Sequence, residues 1–364
     1  MNYKYPVYQP SLGHKEKENV LACLDSTWIS SKGKFINQFE NSFSEYIGVK
    51  HSAAVCNGTV AIHLALLALG IGEGDEVIVP SFTYIASVNA IKYTGAKPVF
   101  VDSDLTTWQL DAKKIEEKIT SKTKAIMPVH LYGQPCEMSS IMKIANEYKL
   151  LVVEDCAEAF GSLYKGEHVG SFGVISTFSF FGNKTITTGE GGMVVTNDSS
   201  LIEKVIHLKG QGLAKDREYY HDIIGYNYRM TNICAAIGSA QLERADELIE
   251  KKIRVAKWYK NKLSGVPVVF HSEVGDVRHS FWMVSVLLKD SAEREKIREY
   301  LKQNGIETRP TFNPVHLMPM YFEEGLTLSV AEELGSRGIN LPSYPDLNET
   351  DVDFICNRIK EFYL

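Results

Sequence analysis

AAVCNGTVAIHLALLALG, residues 53–70, reads as a strand, a tight turn and a helix in immediate succession. Ala53-Ala54-Val55 is a short apolar run, Asn57-Gly58-Thr59 a turn, and the helical pattern that follows closes at Gly70. Downstream the same alternation continues. EVIVP (76–80), KPVFVD (97–102), KAIMPVHLYG (124–133), LLVVEDCA (150–157), GVISTFSFF (173–181) and MVVTND (193–198) read as strands. Helical stretches such as IASVNAIKYTG and EMSSIMKIANEYK lie between them. Strands that are almost continuously apolar and separated by helices predict an α/β fold, with a mainly parallel sheet covered on both faces.

Past residue 200 the pattern changes. ICAAIGSAQLERADELIEKKIRVAKWYKNKL (233–263) reads as one long helix. Strand-like VPVVF and FWMVSVLLKD, helical AEREKIREYLKQNG and a helix around VDFICNRIKEFYL follow. The chain is therefore expected to divide into a large α/β domain, 1–245, and a smaller α+β domain, 246–364. The N-terminal segment is expected to pack partly on the small one.

The 364 residues include 39 Lys+Arg and 45 Asp+Glu, a formal charge of −6. That balance argues against a nucleic-acid groove or a polybasic membrane patch. No run of about 18 apolar residues is present to cross a membrane, and the first residues lack the apolar core of a signal peptide. A cytoplasmic protein is expected. Six scattered cysteines without a CxxC pair point to reduced thiols, not to a disulfide framework or a zinc knuckle, and no metal site is expected.

Three segments carry chemistry. GIGEGDEVIVP (70–80) contains G-x-G, but its glycines precede a strand, so it reads as a turn and not as a dinucleotide fingerprint. Asn57-Gly58-Thr59, by contrast, opens a helix, where free N–H groups and the positive dipole end suit an anion; a plain helix cap is the competing reading. Asp155 ends LLVVED, the strand end at which ligands of parallel sheets bind, while Glu154 points the other way and reads as a bland, solvent-facing residue. Lys184, in SFFGNKTITTGEGGMVVTND (179–198), stands in a loop between a strand and a Gly-rich turn, where desolvation would free its amine as a nucleophile. A phosphate cradle, a strand-end aspartate and a loop lysine on an α/β scaffold suit pyridoxal 5'-phosphate. An aspartate about 4 Å from the pyridinium, at an effective dielectric of about 20, is worth about 4 kcal/mol, or roughly 3 pKa units.

At these residues the chain resembles the sugar-nucleotide aminotransferases of the DegT/DnrJ/EryC1/StrS family, fold-type I enzymes that use pyridoxal phosphate. The resemblance runs from WISSKGKFINQFE (28–40) through VCNGTVAIHLALLALGIGEGDEVIVP, VVEDCAEAFGS and SFFGNKTITTGEGG to GYNYRMTNICAAIGSAQLE (225–243). It implies that Lys184 is the Schiff-base lysine and that Asp155 pairs with the pyridinium nitrogen. Gly58, Thr59 and Ser179 are implied to meet the phosphate, and Tyr84 to stack on the cofactor ring. Asn227 is implied to reach the phosphate from a neighbouring subunit, hence a homodimer with shared sites or a tetramer. Glu158, where many relatives carry His or Gln, is implied to face the cofactor's phenolic oxygen.

The resemblance further implies a ping-pong transfer, through pyridoxamine phosphate, of the amino group of L-glutamate to C4 of GDP-4-keto-6-deoxymannose for O-antigen synthesis. Another 4-keto-6-deoxy nucleotide sugar, a cofactor-dependent sugar dehydratase and a non-catalytic cofactor-binding regulator are the alternatives. Relatives of the dehydratase kind carry histidine in place of the lysine. Ser30, Ser31, Lys32 and His316 are candidates for the sugar nucleotide, and Arg229 and Arg309 for the glutamate carboxylates. A purely structural role stays open for each of these six, most of all for Arg229.

Overall fold

The computed structural model describes residues 3–364. Two helices come first, α1 (His14–Asp25) and α2 (Lys34–Ile47). In α2, Phe35, Phe39, Phe43 and Ile47 recur every four residues, so they share one face, and that face is buried. The strand–turn–helix unit follows as β1 (His51–Val55) and α3 (Gly58–Ala68). Next come β2 (Glu76–Pro80), α4 (Ile85–Tyr93), β3 (Lys97–Val101), β4 (Thr123–Ile126), α5 (Met138–Tyr148) and β5 (Leu151–Asp155). Two short strands, β6 (Leu163–Tyr164) and β7 (Glu167–His168), precede β8 (Ile175–Ser179), β9 (Gly192–Thr196) and α6 (Ser199–Lys209).

These strands form a sheet in the order β1-β9-β8-β5-β4-β2-β3. β3, β2, β4, β5 and β8 are mutually parallel, whereas β9 runs antiparallel between β8 and β1. The sheet is thus mixed but mainly parallel. The strands are shorter than their apolar runs: in KAIMPVHLYG the regular strand ends at Ile126, two residues before Pro128, which has no N–H to give a ladder, and beyond it the pairing continues only as a bridge from Val129 to Asp155.

The expected long helix is two. Arg244, at φ −109° and ψ 12°, separates α7 (Asn232–Glu243) from α8 (Ala245–Lys262). The Ala-rich α7 packs closely on α1 and α2; a Cβ at Gly238 would lie 2.8 Å from the Phe39 ring. The rest comprises β10 (Val268–Phe270), β11 (Val277–Arg278), β12 (Val284–Leu288), α9 (Arg294–Gln303), β13 (Arg309–Pro310), α10 (Ser329–Arg337), β14 (Gly338–Leu341) and α11 (Glu349–Phe362). A second, antiparallel sheet of order β10-β12-β14-β13 forms here, and α8, α9 and α11 pack together beside it. The N-terminal segment joins this part: Tyr5 N–H donates to Gly305 O at 3.0 Å, and the Tyr5 side chain is buried in the same apolar cluster as Ile306 and Ile355. Among the described residues no helix is long and apolar enough to cross a membrane.

Candidate active site

A cavity of about 610 Å³ opens at the carboxyl ends of the parallel strands and is closed on the far side by residues around the second sheet. Of the residues singled out in the sequence, Gly58, Thr59, Tyr84, Asp155, Glu158, Ser179, Lys184 and Arg309 line it. They come from five separate stretches of chain, and the sheet order is what gathers them.

The floor is the first turn of α3. Asn57 caps the helix, its side chain accepting from Val60 N at 3.0 Å. The N–H groups of the first turn have no acceptor within the helix, and the dipole end is positive. Asn57 is therefore a plain cap, and the turn it opens keeps free N–H groups of the kind that suit an anion. Gly58 faces the end of β8, where an added Cβ would fall 2.7 Å from Ser179 Cβ. A glycine here leaves room for a phosphate between helix and strand.

Asp155 is the last residue of β5 and is buried. Ser87, on α4, donates to its Oδ2 at 2.6 Å, and Ala157 N donates to Oδ1 at 3.0 Å. The carboxylate is thus held in one orientation from two sides. Lys184 Nζ lies 3.7 Å from Glu158 Oε1 and 3.9 Å from the centroid of the Trp282 ring. Burial holds the Lys184 amine below the ordinary lysine range, against the opposing charges of Glu158 and Asp155. Burial likewise raises the Glu158 carboxyl to about 7, with Lys184 and the Tyr132 N–H opposing it. Tyr132 N donates to Glu158 Oε2 at 3.0 Å. The rings of Tyr132, Trp282 and Phe312 stack on one wall, and Tyr84, 56% exposed, meets Phe312 at the mouth.

Several expectations are corrected. Glu154 is not solvent-facing: it is fully buried and accepts from Gly170 N, Phe172 N, Gly173 N and Ser176 Oγ at 2.6–3.1 Å. Its neighbour His130 lies 3.1 Å away, and Cys156 completes a triad of the kind that binds metals. Both His130 nitrogens and the Glu154 carboxylate are already engaged, however, since His130 Nδ1 accepts from Cys136 N at 2.9 Å and Nε2 meets Glu154. Glu154 instead anchors the turn that leads into β8.

His316 does not line the cavity. Its buried ring is closed between Ser81 Oγ at 2.6 Å and Glu332 Oε1 at 3.2 Å, a structural clamp. Ser30, Ser31 and Lys32 lie in the loop joining α1 to α2, outside this cavity, where Ser30 O accepts from Asn232 N at 2.6 Å. Arg229 extends the sheet edge through a bridge to Val55 and also stays outside. Asn227 is exposed, bridged to Gly210, and does not reach the cavity of its own chain. Sequence reasoning missed Ser87, Trp282, Phe312 and Asn340, which line the cavity from positions with no motif around them.

A cradle open only because residue 58 lacks a Cβ, an oriented aspartate and a desolvated lysine fit pyridoxal phosphate. Comparison with known proteins agrees. The model of the DegT/DnrJ/EryC1/StrS aminotransferase family matches residues 10–360. The chain is 63% identical over 358 residues to the GDP-perosamine synthase of Escherichia coli O157:H7, covering 98% of each chain. It is 53% identical to that of Caulobacter vibrioides, covering 98% of this chain and 97% of the other. Among solved structures, Helicobacter pylori PseC, an aminotransferase of pseudaminic acid biosynthesis, superposes with a TM-score of 0.93 at 29% identity, covering 98% of each chain. S. venezuelae DesV gives 0.90 at 34% identity, covering 95% of this chain and 94% of its own. With its fold, its cofactor cradle and nearly its whole length matched, the chain belongs to the pyridoxal-phosphate-dependent DegT/DnrJ/EryC1/StrS aminotransferases.

Proposed function

We propose that this chain transfers the amino group of L-glutamate to C4 of GDP-4-keto-6-deoxymannose, giving 2-oxoglutarate and GDP-perosamine for O-antigen synthesis. The observation that carries the chemistry is the meeting of Lys184, Asp155 and the α3 N-terminus in one cavity. The 63% identity to an enzyme named GDP-perosamine synthase supports the sugar.

Pyridoxal phosphate, when bound, supplies an electron sink and carries nitrogen between the two substrates. The first turn of α3, with Gly58, Thr59 and Ser179, holds the phosphate. Asp155, fixed by Ser87 and Ala157 N, keeps the ring nitrogen protonated. The Lys184 amine takes the proton from the donor's α-carbon and later returns one to sugar C4. Tyr84 stacks on the cofactor ring and meets Phe312 at the mouth through which the sugar enters; Arg309, exposed there, pairs with Glu307 Oε1 through Nε and Nη2 at 3.2–3.3 Å and keeps its Nη1 edge for a carboxylate. Asn227 serves the cavity of a second copy in a homodimer; its exposure, with Ile224 at 88%, supports a surface that a partner covers. The division of the chain near residue 245 belongs to the same reading, supported by the break at Arg244 and the separate second sheet.

The test supplies isotopically labelled glutamate nitrogen and GDP-4-keto-6-deoxymannose to the reconstituted protein and follows the label by mass spectrometry. Label at sugar C4, absent in Lys184→Ala, is the expected result. Glutamate turnover with no labelled product from this sugar leaves the aminotransferase and removes the assigned substrate. A deoxygenated product without nitrogen overturns amino transfer.

A further inference from the structure

Lys184 sits in a loop, yet the two peptide planes on either side of its α-carbon are both tied down. The carbonyl of Asn183, in the peptide before it, accepts from Trp282 Nε1 at 2.7 Å. The carbonyl of Lys184 itself, in the peptide after it, accepts from the Tyr8 hydroxyl. A local bond, Lys184 N to Phe181 O at 2.9 Å, completes the turn. Neither side-chain donor belongs to the sheet that carries Lys184. Trp282 precedes β12 in the second sheet, and Tyr8 lies in the N-terminal segment.

We propose that Tyr8 and Trp282 are positioning residues for Lys184, each fixing one of the two peptide carbonyls that flank its α-carbon. This rests on the reading of Lys184 as the proton-moving amine. A lysine side chain has four rotatable bonds, so the direction in which Cβ leaves the backbone decides where Nζ can go. Fixing both flanking peptides fixes that direction. The Trp282 ring, 3.9 Å from Nζ, then supports the far end of the same side chain.

Both donors are themselves held. Trp282 is buried and stacks on Tyr132 at 11° between planes. Tyr8 has Lys252 Nζ 5.0 Å from its ring centroid, and that amine donates to Ser343 O at 2.9 Å. Ser343 N in turn donates to Val7 O at 3.2 Å. Burial raises the Tyr8 phenol above its ordinary value, so the hydroxyl remains a donor throughout the working range of pH.

The experiment compares Tyr8→Phe, Trp282→Phe and Lys184→Ala. Tyr8→Phe keeps its ring and loses only the donor oxygen, whereas Trp282→Phe keeps an aromatic ring but loses the indole N–H together with the rest of the five-membered ring. Each is expected to lower kcat about 10-fold with KM changed less than about 2-fold, the signature of misplaced chemistry and not of lost binding. In cofactor-free protein, the pH midpoint for acetylation of Lys184 by acetic anhydride, read by mass spectrometry, is expected to move up towards an ordinary lysine, because a loosened side chain is better solvated. Unchanged kcat and an unchanged midpoint in either variant remove that residue from the proposal; in both, they overturn it. If Trp282→Phe fails to fold, Tyr8→Phe, which alters one oxygen atom, decides alone. Wild-type rates in both variants with an inactive Lys184→Ala defeat this inference only, whereas an active Lys184→Ala defeats the reading beneath it.

Discussion

Glu158, three residues beyond Asp155, is a carboxyl whose environment sets its charge. Burial raises it from an ordinary 4.5 to about 7, and the amine of Lys184 at 3.7 Å only partly offsets this. The folded state therefore binds this proton more tightly than the unfolded chain does. The stability it contributes is fully present below 4.5 and is lost as pH rises through about 7. Cofactor-free protein is expected to lose up to about 3 kcal/mol over that window on account of this group. Glu158→Gln, which cannot ionise, should flatten the curve; urea unfolding at about pH 5 and about pH 8 compares the two slopes. Identical slopes would contradict the burial argument. At this scale Lys184 and Asp155 were legible because their own segments are unusual. Ser87 and Trp282 were not, since nothing local marks them: Ser87 meets a partner 68 positions away, and Trp282 one 99 positions away.

The first turn of α3 works as an element, not as a single residue. Its dipole and free N–H groups come with any helix, but their use depends on the gap to β8. Gly58→Ala places a methyl 2.7 Å from Ser179 Cβ and 3.4 Å from its Cα, and a strand end cannot swing aside as a long side chain can. Alanine suits a helix's first position, so the fold should persist while the cradle narrows. Wild-type protein should bind pyridoxal phosphate far more tightly than pyridoxal; in the variant that preference should shrink about 10-fold or more. Titration of cofactor-free protein with both compounds measures it, and an undiminished preference would place the phosphate elsewhere. The break at Arg244 teaches a different lesson. No glycine or proline marks it, and the helical period passes straight through it. It arises because α7 buries its small residues against α1 and α2, while α8 packs on α11.

Across the whole molecule, the two sheets are joined in part by a buried cluster of rings. Trp108, in the loop after β3, stacks on His271 with centroids 4.8 Å apart, and His271 Nε2 lies 3.3 Å from His279 Nε2. Both histidines are buried; Phe281 stacks on His279, and Lys260 sits over the Phe281 ring. Burial, helped by the Lys260 charge, lowers His271 from 6.5 to about 3. Its contribution to stability is present above 6.5 and is lost as pH falls towards 3, about 2 kcal/mol of it by about pH 5. His271→Gln should show a shallower loss between those values in urea unfolding, and an equally steep one would exclude the histidine as its source. By itself the sequence determined the α/β class, the order of the sheet-forming segments and the family, and it singled out the lysine and the aspartate that meet in one cavity. Those follow from short-range patterns, strand–turn–helix units and motifs whose chemistry is local. The tertiary structure alone decided that Glu154 is a buried anchor, that His316 is a clamp outside the cavity, and that Tyr8, Ser87 and Trp282 fix the groups at its centre. Those roles are contacts between segments far apart in the chain, set by the closing of two sheets on each other, and no local period records them.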